Sequence, residues 1–164
     1  MSDGRAVDTA IVGRDGALAS SIACRSGARC IARTNIEALT ISAAEYRRFA
    51  AEDVAVQIMI IHDQELLLSK TQISAARFAC LSVDVRMAAC FIEVADLVGS
   101  DNLPLTQEAL AEMLSVQRTS VTAAAGKLRA EGTIAYARGK IQIQDRARYS
   151  IGHAAVLASL SARA

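Results

Sequence analysis

What this 164-residue sequence has little of rules out several chemistries at once. It holds no tryptophan, a single proline and two histidines, and His62 and His153 stand isolated from each other and from any cysteine pair. The four cysteines, Cys24, Cys30, Cys80 and Cys90, lack the close Cys-x2-Cys pairing that zinc or iron–sulfur binding needs. They read as reduced thiols, and no metal or other cofactor is implied. There is no Ser/His/Asp grouping and no phosphate-cradling glycine loop, so an enzyme is not expected. No stretch approaches the 18 consecutive apolar residues of a membrane span. The first residues carry Asp3 and Asp8 and no apolar signal core. A cytoplasmic protein without a membrane partner is the expectation.

Just over half of the residues, 52%, are apolar, enough to build a core and too many for a disordered chain. The formal net charge is only +1, but its distribution is uneven. Residues 1–50 carry seven Lys/Arg against five Asp/Glu, residues 51–100 three against seven, and residues 101–164 eight against five. The basic excess of the last segment is modest.

Three parts follow one another. Within residues 1–51, Ala6 to Val12 is a β-prone run closed by Gly13-Arg14-Asp15-Gly16, Ala17 to Cys24 predicts a second strand, and Ala28 to Ile41 a third and fourth with a turn at Thr34-Asn35. Ser42-Ala43-Ala44-Glu45 is a capping-box sequence that opens a short helix through Phe49. Residues 52–79 contain neither Gly nor Pro and predict a helix about 40 Å long. Its apolar residues form two neighbouring stripes, Val54, Ile58, Ile61, Leu68 and Val56, Ile60, Leu67. That is more than one core needs, and it predicts a homodimer interface on Val54, Ile58, Ile61 and Leu68.

Residues 80–164 are the informative part. Ser82 to Leu97 predicts a helix stopped by Gly99, and Leu103-Pro104-Leu105 an extended lead-in. Thr106 is placed to N-cap a helix that turns Leu110 and Leu114 inward. Ser115-Val116 marks a sharp turn, and a second helix from about Gln117 to Ala130 turns Val121, Ala124 or Ala125, and Leu128 inward. Thr133 to Tyr136 and Lys140 to Gln144 then pair across Arg138-Gly139 as a hairpin. Ala111 as the small residue, the turn at 115–116 and Val121 as the apolar lock have the spacing of a helix-turn-helix. The first turn of the second helix offers Gln117, Arg118, Thr119, Ser120 and Thr122, side chains suited to base edges of double-stranded DNA. Thr106, Lys127, Arg138 and Lys140 are candidates for phosphate contacts. Helix pair plus basic hairpin predicts a winged helix-turn-helix.

The run LPLTQEALAEMLSVQRTSVTAAAGKLRAEGTIAYARGKIQIQDR resembles the DNA-binding domain of Crp/Fnr-type bacterial regulators. The resemblance implies an α+β architecture: a partial jelly-roll segment over residues 1–51, a dimerisation helix over 52–79 and a winged DNA-binding domain over 80–164. It extends over nearly the whole chain, with the first segment resembling the second half of the family's sensor domain. Where the family's nucleotide cassette has a Gly-Glu opening and an Arg-Ser pair, this sequence reads Gly13-Arg14 and Arg29-Cys30. The acidic ribose partner is thus replaced by a cation. The turn glycine of the family is Ser115 here. The implied function is a homodimeric transcriptional regulator on an inverted-repeat operator, without cyclic-nucleotide sensing and with RNA polymerase as a further partner. The alternatives are a thiol or small-molecule sensor, or a truncated dimerisation partner of a full-length paralogue.

Overall fold

The computed structural model describes residues 9–14, 16–17, 30–137 and 140–149. Its first helix, α1 (Ala43–Glu52), begins where the capping box predicts. The Ser42 side chain accepts a bond from the Glu45 N–H at 3.2 Å, and its hydroxyl donates to the Glu45 carboxylate at 2.7 Å. One extended residue, Asp53, then serves two helices. Its N–H donates to Phe49 O and closes α1, while its carboxylate accepts from the Ala55 N–H at 2.8 Å and opens α2 (Val54–Cys80). The long helix therefore starts two residues later than the composition suggests, and its 27 residues span about 40 Å.

Leu81 and Ser82 are extended and separate α2 from α3 (Val83–Val98). Gly99 ends α3 in the left-handed conformation, φ 66°, which a glycine adopts without steric cost. Beyond it stand β1 (Asn102–Leu103), α4 (Gln107–Met113), α5 (Arg118–Ala130), β2 (Ile134–Ala137) and β3 (Lys140–Ile143). The sheet is antiparallel with order β1-β3-β2. The segment expected only as an extended lead-in thus contributes a strand, with Leu103 opposite Ile141. A single core unites these elements. Met87 and Phe91 of α3, Leu110 of α4, Val121 of α5, Leu103 and Ile141 are all completely buried. At about 1.5–3 kcal/mol for each large apolar side chain removed from water, this cluster is the principal source of order in the C-terminal half.

The N-terminal β reading needs correction. Residues 30–42 form no strand, and Ile31, Ile36, Leu39 and Ile41 are exposed, Leu39 fully. Residues 9–12 and 17 are likewise irregular, while the rest of the two earlier predicted strands lies outside the described residues. A strand exists only through a neighbour that takes its backbone donors and acceptors. A β-prone run without such a neighbour stays irregular, whatever its composition. Among the described residues, no helix is long and apolar enough to cross a membrane.

Candidate nucleic-acid interface

The helix pair is built from local chemistry. The Thr106 hydroxyl accepts from the Ala109 N–H at 3.1 Å and starts α4. After Leu114 the chain reverses at Ser115, which has φ 50°, the one non-glycine residue with positive φ among the described residues. The N–H of Val116 returns to Ala111 O at 3.0 Å and that of Ser115 to Glu112 O at 3.0 Å, so the turn is closed by the backbone. Left-handed geometry at a serine costs roughly 1 kcal/mol, small beside the burial of Leu114 and Val121 on either side.

Gln117 is extended and precedes α5 without making a side-chain cap. Val121, Ala124, Ala125 and Leu128 fix the inward face of α5, and Gln117, Arg118, Thr119 and Thr122 are exposed on the other. Ser120 is half-buried. Arg118 is the first residue of the helix, and no acidic residue stands in the first turn. A cation there opposes the helix dipole, an unfavourable placement of about 0.3–1 kcal/mol. It becomes favourable only against an anion, which is the environment a DNA groove supplies.

The Thr122 hydroxyl lies 3.0 Å from Arg118 O and 3.3 Å from the Gln107 side-chain oxygen. The Gln107 amide in turn lies 3.5 Å from the Tyr136 hydroxyl of β2. Sequence reading passed over Gln107 and Tyr136, which tie the starts of α4 and α5 to the wing. Their signal was present. Gln107 directly follows a cap, and Tyr136 stands two residues after the buried Ile134, on the same face of its strand, where a tyrosine brings a hydroxyl to the edge of the core.

Of the residues assigned to phosphate, Thr106 is exposed at the start of α4 and Lys140 is exposed at the start of β3. Arg138 lies outside the described residues. Lys127 is placed apart from them. It stands nine positions after Arg118, half a turn round the helix, and its ammonium pairs with Asp84 of α3. Hydrogen bonds from Lys127 and then Ser82 hold the Asp84 carboxyl down at a pKa of about 2, and the same carboxylate raises that of Lys127. The ion pair ties the end of α5 to the start of α3.

The residues assigned to the dimer, Val54, Ile58, Ile61 and Leu68, are exposed by 56–67% on this protomer, and only Ile60 of α2 is buried. Among the described residues no group of His, Cys, Asp and Glu could hold a metal ion.

The family model of the Crp-like helix-turn-helix domain matches residues 85–148. Those residues are similar to that domain along its helix-turn-helix and hairpin. The match begins inside α3 and runs past β3, so it contains the whole helix pair and the hairpin. Solved structures of Crp/Fnr-type regulators share the fold beyond it. A transcriptional regulator of the Crp/Fnr family from Eubacterium rectale is 23% identical, with a TM-score of 0.57 over 68% of this chain and 52% of its own. FixK2 from Bradyrhizobium japonicum is 17% identical, with a TM-score of 0.60 over 67% of this chain and 58% of its own. A CRP/FNR-family regulator from Thermus thermophilus is 25% identical, with a TM-score of 0.57 over 61% of this chain and 55% of its own. The match thus spans little more than half the length of these structures. No curated protein matches in sequence. The Crp/Fnr resemblance and the α+β class read from the sequence are both borne out.

Proposed function

We propose that the chain is a sequence-specific transcriptional regulator that binds double-stranded DNA as a homodimer. The observation that carries this reading is the exposed first turn of α5. Gln117, Arg118, Thr119 and Thr122 stand free of the core on a helix locked from behind by the fully buried Val121. In this reading α5 enters the major groove, Arg118 and Gln117 address guanine and adenine edges, Ser120 and Thr122 contribute shorter contacts, and Thr106, Lys140 and Arg138 hold phosphates. Lys127, committed to Asp84, is left to orient α5 instead of gripping the backbone. Two copies would meet through Val54, Ile58, Ile61 and Leu68, whose exposure on a single protomer supports a covered face. Dimer symmetry then calls for an inverted-repeat site with half-sites about 34 Å apart. RNA polymerase would be a further partner, and the cytoplasm the place of action. Cyclic-nucleotide sensing is not part of the proposal, because Arg14 stands where the family's acidic ribose partner would be.

Selection of a site from random duplexes by mobility shift is the test. Enrichment of an inverted repeat is expected, and Arg118→Ala should lower affinity for it by about 1–3 kcal/mol and relax one position. Failure to enrich any duplex, or equal binding by wild type and variant, would remove the readout role.

A further inference from the structure

We propose that the junction of α2, α3 and the α4–α5 turn is a binding site for a small oxyanion, a carboxylate or a phosphate, gathered around Arg86. Its guanidinium lies over the Phe78 ring at 4.7 Å and donates from Nη1 to Leu114 O at 3.2 Å. Its Nε has no exposed surface and no hydrogen-bond partner. Among the described residues no carboxylate pairs with it, and burial pulls its pKa down from the ordinary arginine value. A half-buried cation that lacks an anion is held partly away from water at a cost, and a charged acceptor delivered to it recovers part of that cost.

The space beside Arg86 is a cavity of about 60 Å³, room for about four to six waters. Lys70, Ser74, Arg77, Glu93 and Ile11 also line it. Three cations therefore face one acid, and that acid is held by Arg77 at 3.0 Å. Lys70 donates to Ile11 O at 3.2 Å, and an ammonium carries three donors in all. The volume suits an anion of a few heavy atoms. The position matters as much as the charge. Arg86 touches Phe78 near the end of the long helix and, at once, the carbonyl of Leu114 that enters the helix-turn-helix turn. An anion on Arg86 would therefore bias how the helix pair sits against α2. This last step rests on the DNA-binding reading above, whereas the site itself does not.

Thermal unfolding of the full chain in phosphate, succinate and acetate, each against sodium chloride at matched ionic strength, tests the site. At ten times its Kd the bound anion should raise Tm by about 3 °C or more, and the responding salt tells phosphate from carboxylate. Phosphate also stabilises proteins by exclusion from their surface, so variants decide. Lys70→Gln and the cavity-filling Ser74→Leu, each checked for intact helix content by circular dichroism, should lose the anion-specific rise. No rise beyond chloride in the wild type, or an undiminished rise in both variants, overturns the site. Mobility shifts on the selected duplex with and without the responding anion, at fixed ionic strength, then read the coupling. Unchanged DNA affinity with an intact Tm response overturns the regulatory step alone. Absence of any DNA binding fails the earlier reading and leaves the site to stand or fall on Tm.

Discussion

Thr133 and Tyr149 offer a test of how the wing is fixed to the recognition helix. Thr133 is almost fully buried. Its hydroxyl donates to Leu128 O at 2.8 Å and accepts from the Tyr149 hydroxyl at 2.6 Å. The Thr133 N–H also reaches Leu128 O at 3.1 Å, so that carbonyl keeps a donor when the hydroxyl is removed. Thr133→Val keeps the shape and strands the buried Tyr149 hydroxyl without its acceptor, at a cost of about 2 kcal/mol. Tyr149→Phe removes the other partner and leaves Thr133 its bond to Leu128, at about 1 kcal/mol. In the double variant no group is stranded, so its total should stay at about 2 kcal/mol, with a coupling near 1 kcal/mol. Urea unfolding at fixed protein concentration reads this as a midpoint shift of about 1 M for Thr133→Val. Simple additivity of the two costs, about 3 kcal/mol, would refute the argument. Burial also raises the Tyr149 pKa. The unfolded chain therefore loses that proton first as pH rises past 10, and stability declines from there until the folded group titrates. Tyr149→Phe should lack that decline.

Three further outcomes follow from the same structure. Lys140→Ala should weaken binding to every duplex alike and lower the slope of log affinity against log salt by about 0.9, read by mobility shift at several salt concentrations; a loss confined to one sequence would contradict its phosphate role. Ile61→Glu should leave a monomer in light scattering and abolish tight operator binding, since a carboxylate would be stranded in the apolar stripe; an unchanged dimer would move the interface elsewhere. The Asp84 carboxyl titrates near 2 in the folded chain against 3.8 unperturbed, so its contribution is full above pH 3.8 and is lost as pH falls through 2. After allowance for the exposed Lys127, it amounts to about 1 kcal/mol. Asp84→Asn should lose it at neutral pH and flatten the acid limb of stability, and an unaltered limb would count against the pair.

The caps and turns were legible because each is decided by a few neighbours in the chain. Ser42 with Glu45, Thr106 before Gln107 and Gly99 after Val98 stand where their side chains or missing Cβ satisfy local backbone groups. The inward faces of α4 and α5 were legible for a related reason. A 3.6-residue period names the same residues whichever partner covers them, and Leu110, Leu114, Val121 and Leu128 are buried accordingly. Strands are different in kind. The composition of residues 28–41 resembles that of β-structure, but pairing is a property of two segments, and one segment cannot declare it. β1 shows the converse, because Asn102–Leu103 is too short to announce itself and exists through its register with β3.

Charge placement in the site follows the same division. The exposure of Arg118 could be read from the sequence, since the first turn of a helix whose inward face is known leaves it only one side on which to stand. Lys127 could not. It occupies an exposed helical position with the composition of a phosphate contact, but its role is set by Asp84, 43 residues earlier, which the packing of α3 against α5 brings into reach. The same holds for Gln107 and Tyr136, whose 29-residue separation hides a link between the start of α4 and β2. A polar side chain on a helix surface has two possible customers, a partner within the fold and a ligand outside it. Periodicity identifies the surface, and only the tertiary neighbours identify the customer. That is why Arg86, an unremarkable cation inside an apolar helix by sequence, becomes a candidate anion site once Phe78, Leu114 and Lys70 are placed around it.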